Sequence, residues 1–281
     1  MQPVPTRQSS VEIDLSPIGI IAGEGNFPRL LARAAREHNI HVSAIGIRGI
    51  TSSDLADEVD QMHWVDFGKF NRIIEVCHEA GIRKAVMAGR IKHSCIFHLS
   101  KIDRRGIKLL ARTANRKADT ILKAVTDEFG REGIEVMDST LLLREWMPPS
   151  GLLTPQAPPD RHIMEDIEFG RPIADRVAGL DIGQTVVVKE GTVVAVEAME
   201  GTDKVILRAG EQAGAGCVVI KVAKPRQDRR FDVPVIGLTT VKKMIQARCS
   251  AMAFPGGQVL FFEQDDACAL AASRGISLYA W

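Results

Sequence analysis

Little in this chain announces its class at once. Aromatic residues make up 5% of its 281 residues, with a single tyrosine. The five cysteines, Cys77, Cys95, Cys217, Cys249 and Cys268, are odd in number and form no C-x-x-C pair. Neither a disulfide framework nor a zinc site is indicated, and reduced thiols in the cytoplasm are expected. Charge of one sign is also missing: 36 Lys+Arg against 35 Asp+Glu leaves a net charge of +1. Nucleic-acid binders carry a basic excess, so no nucleic-acid partner is expected. No apolar run approaches the roughly eighteen residues that cross a bilayer. Residues 1–16 lack the apolar core of a secretory signal and read as a disordered tail. Membrane contact is therefore expected to be peripheral. No nucleophile elbow, Walker A loop, H-E-x-x-H helix or kinase signature occurs, which leaves covalent catalysis with little support.

What is present is an alternation of apolar runs and helical patterns. Ile18–Ala22 reads as a buried strand, Phe27–His38 as a helix with Pro28 in its first turn, and His41–Ile47 as a second strand. Asn71–Ala80 reads as a helix, Lys84–Ala88 as a third strand, Arg104–Ala114 and Lys117–Phe129 as helices, and Ile134–Met137 as a strand. Such alternation predicts right-handed βαβ units in a Rossmann-like parallel sheet over residues 17–146. Five prolines between Pro148 and Pro159 mark residues 147–160 as a linker. Residues 161–281 then predict a second, mixed α/β domain. It has a helix over Met164–Ala178, a hairpin of Thr185–Lys189 and Thr192–Ala198 around Glu190-Gly191, and strands at Cys217–Val222, Ala251–Phe254 and Val259–Phe262. Helices are expected at Thr240–Arg248 and Asp265–Ser273.

In the first domain, Gly23-Glu-Gly25-Asn26 occupies the first βα turn, where backbone N–H groups at a helix N-terminus bind anions. The dinucleotide fingerprint is incomplete: Pro28 stands where its third glycine belongs. Arg48 stands where an acid would hold the ribose, which disfavours NAD more than NADP. A tight turn with no ligand is the alternative. Gly89, Arg90, Lys92 and His93 follow the expected third strand at the same sheet edge. Lys117 and Asp119 open a later helix, where Asp119 complements the helix dipole or faces the site.

In the second domain, Glu197, Glu200 and Asp203 recur at spacings of three around Gly201-Thr202. They form either a Mg²⁺ cradle or a capping acid beside two solvated glutamates. Gly201 and Thr202 also offer a backbone turn for phosphate. The most informative segment runs from Lys221 to Gly237. It packs Lys221, Lys224, Gln227, Arg230 and Asp232 between an apolar strand and a helix, and its alternative reading is a solvated charged loop. Cations suit phosphate oxygens and carboxylates suit Mg²⁺, so metal-assisted attack of water on a phosphate ester fits these residue types.

Ile20–Pro28, Leu180-Asp-Ile-Gly-Gln184, Val196–Asp203 and Lys224–Gly237 together resemble the UDP-2,3-diacylglucosamine pyrophosphatase family, in the form found where the calcineurin-like enzyme is absent. The similarity runs from about Ile18 to the C-terminus. It implies Mg²⁺-dependent hydrolysis of UDP-2,3-diacylglucosamine to UMP and 2,3-diacylglucosamine 1-phosphate in lipid A biosynthesis. It also implies two α/β domains that close on a lipid-linked UDP-sugar, a homodimer, and a cytoplasmic enzyme in transient contact with the inner membrane. The aspartate of the family's D-[LV]-P motif corresponds to Asp232, implied as catalytic; Asp232 is also expected to bind Mg²⁺ or orient the attacking water, with Glu197, Glu200 and Asp203 as second-choice metal ligands. Gly23, Gly25, Asn26, Gly89, Lys92, Asp119, Gly201, Thr202, Lys221, Lys224, Gln227 and Arg230 are the expected substrate-binding residues. The chain departs from the family at Lys117-Ala118-Asp119, where Gly-Asp-Asp is common, and at Lys92-His93, where Arg-Pro is. The competing readings are an NADP-dependent oxidoreductase and a non-catalytic sugar-nucleotide-binding protein.

Overall fold

The computed structural model describes residues 17–91, 102–113, 118–225 and 227–281. The tail, Lys92, His93 and Cys95 lie outside the described residues, and the side chain of Asp119 is likewise not described. The chain forms two compact units, dividing between Met137 and Asp138.

The first unit holds a five-stranded sheet of order β3-β2-β1-β4-β5, parallel throughout. Its strands are β1 (Ile18–Ala22), β2 (Val42–Ile47), β3 (Gln61–Val65), β4 (Lys84–Ala88) and β5 (Glu135–Val136). β1 and β2 are buried at every position, as central parallel strands covered on both faces must be. β3 does not read that way. Its Gln61 is exposed and Met62, His63 and Trp64 are half-buried, because it lies at the sheet edge. It makes Lys84–Ala88 the fourth strand in chain order. α1 (Phe27–Glu37) buries Leu30, Leu31, Ala34 and Ala35, the spacing of one helical face. α2 (Phe70–Glu79), α3 (Arg104–Ala111) and α4 (Ala118–Arg131) complete the unit.

The second unit carries a six-stranded mixed sheet, β6-β13-β11-β9-β7-β8, and a parallel pair, β10-β12. The strands are β6 (Gly151–Leu152), β7 (Thr185–Lys189), β8 (Thr192–Val196), β9 (Val218–Lys221), β10 (Val235–Gly237), β11 (Ala251–Phe254), β12 (Leu260–Phe262) and β13 (Ser277–Ala280). Alternation along the strands divides the core. Val186, Val188, Val218 and Ile220 pack with Ile167, Ala174 and Ala178 of α5 (Arg161–Gly179). Val187 and Val219 face the opposite way, toward α6 (Thr202–Ala213), α7 (Leu238–Gln246) and α8 (Gln264–Ser273). The β7–β8 turn has positive φ at both Glu190 (49°) and Gly191 (68°), as a tight primed hairpin requires. The buried carboxylate of Asp166 accepts both turn N–H groups, at 3.0 and 2.7 Å.

The proline-rich stretch expected as a linker is stitched into this unit. β6 pairs with β13 at the sheet edge, where missing N–H donors cost least. The Thr154 hydroxyl accepts from the Leu278 N–H at 2.8 Å, and the Ser277 hydroxyl donates to the Ala157 carbonyl at 2.6 Å. Residues 138–146, grouped by sequence with the first domain, also belong to the second unit.

Candidate active site

Lys221 ends β9 opposite Thr185, which begins the antiparallel β7. A lysine at the end of an otherwise aliphatic strand projects its ammonium into the sheet edge. Here it is 4% exposed. Its Nζ donates to the Thr202 hydroxyl at 2.8 Å and the Thr185 hydroxyl at 3.4 Å, two partners for three donors. The Thr202 hydroxyl in turn donates to Glu197 Oε1 at 3.1 Å. Burial pushes the lysine pKa below its ordinary value, against the opposing pull of Glu197, Asp203 and Asp232.

Thr202 is also the first residue of α6. Gly201 precedes it at φ 84°, a conformation that favours glycine, and among the described residues no side chain caps the helix. The leading N–H groups of a twelve-residue helix thus lie beside a buried ammonium. A helix N-terminus and a cation together favour an anion, with phosphate oxygens matching both donors.

The β9–β10 segment supplies the rest. Lys224 Nζ lies 2.8 Å from Asp181 Oδ1 and 3.1 Å from Asp232 Oδ2. The Asp232 side chain is 27% exposed, well short of open solvent. Arg230 grips Asp228 with two donors, Nε at 2.9 Å and Nη2 at 2.6 Å. Gln227 Oε1 accepts the Lys224 N–H at 2.6 Å, while its buried Nε2 finds no acceptor among the described residues. Lys224 and Arg230 are therefore each joined to a carboxylate rather than standing as isolated cations.

The expected carboxylate cradle does not form. Glu200 accepts from Arg208 at 2.5 Å and from the Ala198 N–H at 3.0 Å. Its own backbone hydrogen bond, then Arg208, hold its carboxyl below the usual range. Glu197 is 9% exposed and accepts the Gln184 N–H at 3.2 Å as well as the Thr202 hydroxyl. Among the described residues, no three His, Cys, Asp or Glu side chains stand where they could hold a metal ion. The reason is local: the spacing of three crosses a strand end, a turn at Gly201 and a helix start, so the side chains diverge. Mg²⁺ needs fewer protein ligands than a full cage, often one or two carboxylates beside substrate phosphates. Glu197 and Glu200 are already engaged by Thr202, the Gln184 N–H, the Ala198 N–H and Arg208.

In the first unit, Gly23 and Gly89 meet where β1 and β4 end, the point at which strand order reverses. The Gly23 N–H donates to Ala88 O at 2.7 Å, and Glu24 pairs with Arg90 in an antiparallel bridge. A Cβ on Gly23 would strike the Arg90 backbone, and one on Gly89 the Glu24 carbonyl. Close backbone approach accounts for both glycines. Gly25 differs: at φ 102° it faces open space, and the exposed Asn26 caps nothing with its side chain among the described residues. These two remain available to a ligand. Arg48 pairs with Asp66 at 3.6 Å on the surface.

Sequence reasoning passed over Thr185, whose only signal was its place at a strand start. Nothing in the sequence marks Asp181 as the partner of Lys224 or Gly183 as a point of close backbone approach. Gly183 is required because a Cβ there would land on the Glu197 carbonyl.

The family models that match this chain divide it near residue 147, where the sequence reading does, and not at the 137/138 boundary of the two compact units. Residues 17–146 match the LpxI N-terminal domain and residues 149–279 the LpxI C-terminal domain. UDP-2,3-diacylglucosamine pyrophosphatase LpxI of Caulobacter vibrioides is 30% identical over 272 residues, covering 92% of this chain and 95% of its own. Solved structures align weakly. The biotin carboxylase domain of Hydrogenobacter thermophilus 2-oxoglutarate carboxylase has a TM-score of 0.28 at 14% identity, over 70% of this chain and 41% of that one. The biotin carboxylase subunit of pyruvate carboxylase gives 0.27 at 14% identity, over the same shares of each chain. Similarity that weak carries no weight for fold or function. The length and identity of the match to the pyrophosphatase do: this chain belongs to the LpxI family.

Proposed function

We propose that this chain hydrolyses the pyrophosphate bond of UDP-2,3-diacylglucosamine, releasing UMP and 2,3-diacylglucosamine 1-phosphate in lipid A biosynthesis. The observation that carries the reading is the buried Lys221 ammonium at the α6 N-terminus, in the field of Asp232. Phosphoryl transfer demands above all that charge on the phosphate oxygens be stabilised by donors fixed in advance. Lys221 and the first N–H groups of α6 act as those donors. Thr185 and Thr202 hold the ammonium in place, and Glu197 holds Thr202.

Asp232 accepts a hydrogen bond from the attacking water and orients it, with Lys224 fixing its carboxylate. Gln227 and Arg230 lie on the same segment and contact the substrate's polar part. In the first unit, Gly25 and Asn26, with Gly89, Lys92 and Asp119, are the proposed contacts to the nucleotide. Asp232 and Asp203 are the residues that would hold Mg²⁺, which would add neutralisation of phosphate charge when bound. Among the described residues no helix is long and apolar enough to cross a membrane. Membership of the family supports the reading that the enzyme meets a lipid-linked substrate at the cytoplasmic face of the inner membrane and acts as a homodimer.

The deciding experiment measures UMP release from UDP-2,3-diacylglucosamine with Mg²⁺. Release that stops on adding EDTA supports the reading. No release leaves the non-catalytic sugar-nucleotide-binding protein, and saturable NADPH binding in a fluorescence titration replaces the reading with the oxidoreductase.

A further inference from the structure

We propose that the outer face of α3 is the surface on which this protein rests against a membrane bearing anionic lipids. The inference rests on the lipid-linked substrate of the preceding section, but its physical basis lies far along the chain from Lys221 and Asp232. Residues 101–117 contain seven Lys or Arg and one acid, Asp103, in a chain whose net charge is only +1. α3 spans Arg104–Ala111 within that stretch.

The acids around the helix are already committed. Asp103 accepts the Gly106 N–H at 2.8 Å and the Asn71 N–H at 2.7 Å, capping one helix and meeting the start of another. Glu128 and Glu132 both bond Arg105, Glu128 at 2.9 Å. Arg131 also takes Glu128, at 2.6 Å. Arg104, Lys108 and Arg112 are exposed and have no carboxylate partner among the described residues. At 100° per residue, Ile107, Ala111, Arg104, Lys108 and Arg112 form one continuous arc of about 140°. Ile107 is 49% exposed at one edge of that arc, while Gly106 and Leu109 are buried on the opposite face.

A solvated helix face balances its cations with acids; this one does not. Three unpaired cations beside an exposed isoleucine match an anionic bilayer, where headgroups take the charges and the isoleucine enters the interface. A cavity of about 590 Å³ opens beside the same cations, lined by Arg104, Arg105, Lys108 and Arg112 and also by Asp103 and Glu128, whose carboxylates are taken by the Gly106 N–H and by Arg105. It gives a lipid headgroup room to sit among them.

The test is cosedimentation of the full chain with vesicles of phosphatidylcholine alone and of phosphatidylcholine mixed with phosphatidylglycerol. Binding is expected only to the anionic vesicles, and salt should release it. Combined Arg104→Gln, Lys108→Gln and Arg112→Gln should cost roughly fivefold per cation, on the order of a hundredfold together. Hydrolysis of substrate dispersed in non-ionic detergent should stay at the unaltered rate, with circular dichroism melting unchanged. A second variant, Ile107→Ser, keeps the charges and should weaken binding without changing its salt dependence. Equal binding to both vesicle types, or an unaltered affinity in the triple variant, overturns the proposal. So does a change in oligomeric state by sedimentation velocity with vesicle binding retained, which would give this face to a second copy. The vesicles contain no substrate, so a protein that binds them but releases no UMP contradicts only the proposed function.

Discussion

Lys224 Nζ lies 3.1 Å from Asp232 Oδ2. The pair is largely shielded from solvent, so the lysine holds the carboxylate in one orientation as well as screening its charge. A carboxylate required to stay ionised and point at a water gains both its charge state and its direction. Asp232→Asn keeps the shape and removes the charge. It should fold with a melting temperature within a few degrees of the parent and lower turnover by about 10²–10⁴-fold. Near-normal UMP release by that variant would remove Asp232 from the mechanism.

Lys221 allows a test that separates chemistry from stability. Lys221→Met replaces a buried cation by an apolar chain of similar length, so stability at neutral pH should change by less than about 2 kcal/mol. Turnover should fall by about 10²–10³-fold, the loss expected for one fixed donor to a phosphate.

The pH dependence has a definite sign. Burial lowers the lysine pKa in the folded state below its ordinary 10.5. Between those two values the unfolded chain binds more protons, so stability rises with pH, by up to about 1.4 kcal/mol per unit. The parent should therefore gain stability relative to Lys221→Met as pH climbs toward 10.5. Parallel curves in denaturant titrations across that range would show that the ammonium is not buried.

How much of this was legible in the sequence depends on whether an element's pattern came from burial or from position. β1, β7 and β11 are aliphatic because both faces are covered, and their limits, Ile18–Ala22, Thr185–Lys189 and Ala251–Phe254, read directly from composition. β3 and β13 did not, since Gln61 and His63, or Ser277 and Tyr279, interrupt the apolar run. α6 was hidden by its own first turn. Glu197, Glu200 and Asp203 looked like a metal cluster until the chain reversal at Gly201 sent them apart. Lys221 was legible as chemistry because a lysine seldom ends a buried strand without a purpose, and Asp232 only through the Asp-Val-Pro motif that carries the family resemblance. The hydroxyls that hold Lys221 were not legible, because only strand register brings Thr185 opposite it.

Away from the site, Glu58 should govern acid stability in the first unit. It is 9% exposed and accepts from Arg33 at 2.9 Å and Arg29 at 3.1 Å. The Arg33 hydrogen bond, only partly opposed by burial, pulls its carboxyl from 4.5 down to about 2. A depressed carboxyl stabilises the fold above its unfolded pKa and loses that contribution as pH falls from 4.5 toward about 2. Screening of the partly exposed arginines limits the effect to about 1–2 kcal/mol. Glu58→Gln should flatten that part of the stability curve and leave UMP release at neutral pH unchanged.

The proposed use of Mg²⁺ can be tested on the carboxylates that geometry commits elsewhere against those it leaves for a ligand. Glu200 bonds Arg208 and the Ala198 N–H, so a Mg²⁺ ion would have to break a charge-assisted pair to reach it. Glu200→Gln should therefore leave the Mg²⁺ concentration for half-maximal UMP release within about twofold of the parent, while costing some stability through Arg208. Asp203→Asn should raise that concentration severalfold with a smaller effect at saturating Mg²⁺, as expected when an ion is shared with substrate phosphates. Isothermal titration of Mg²⁺ into the protein with UMP present gives a readout that does not depend on turnover. A strong shift for Glu200→Gln with none for Asp203→Asn would mean that the turn at Gly201 rearranges around the ion and that the cradle forms only with substrate.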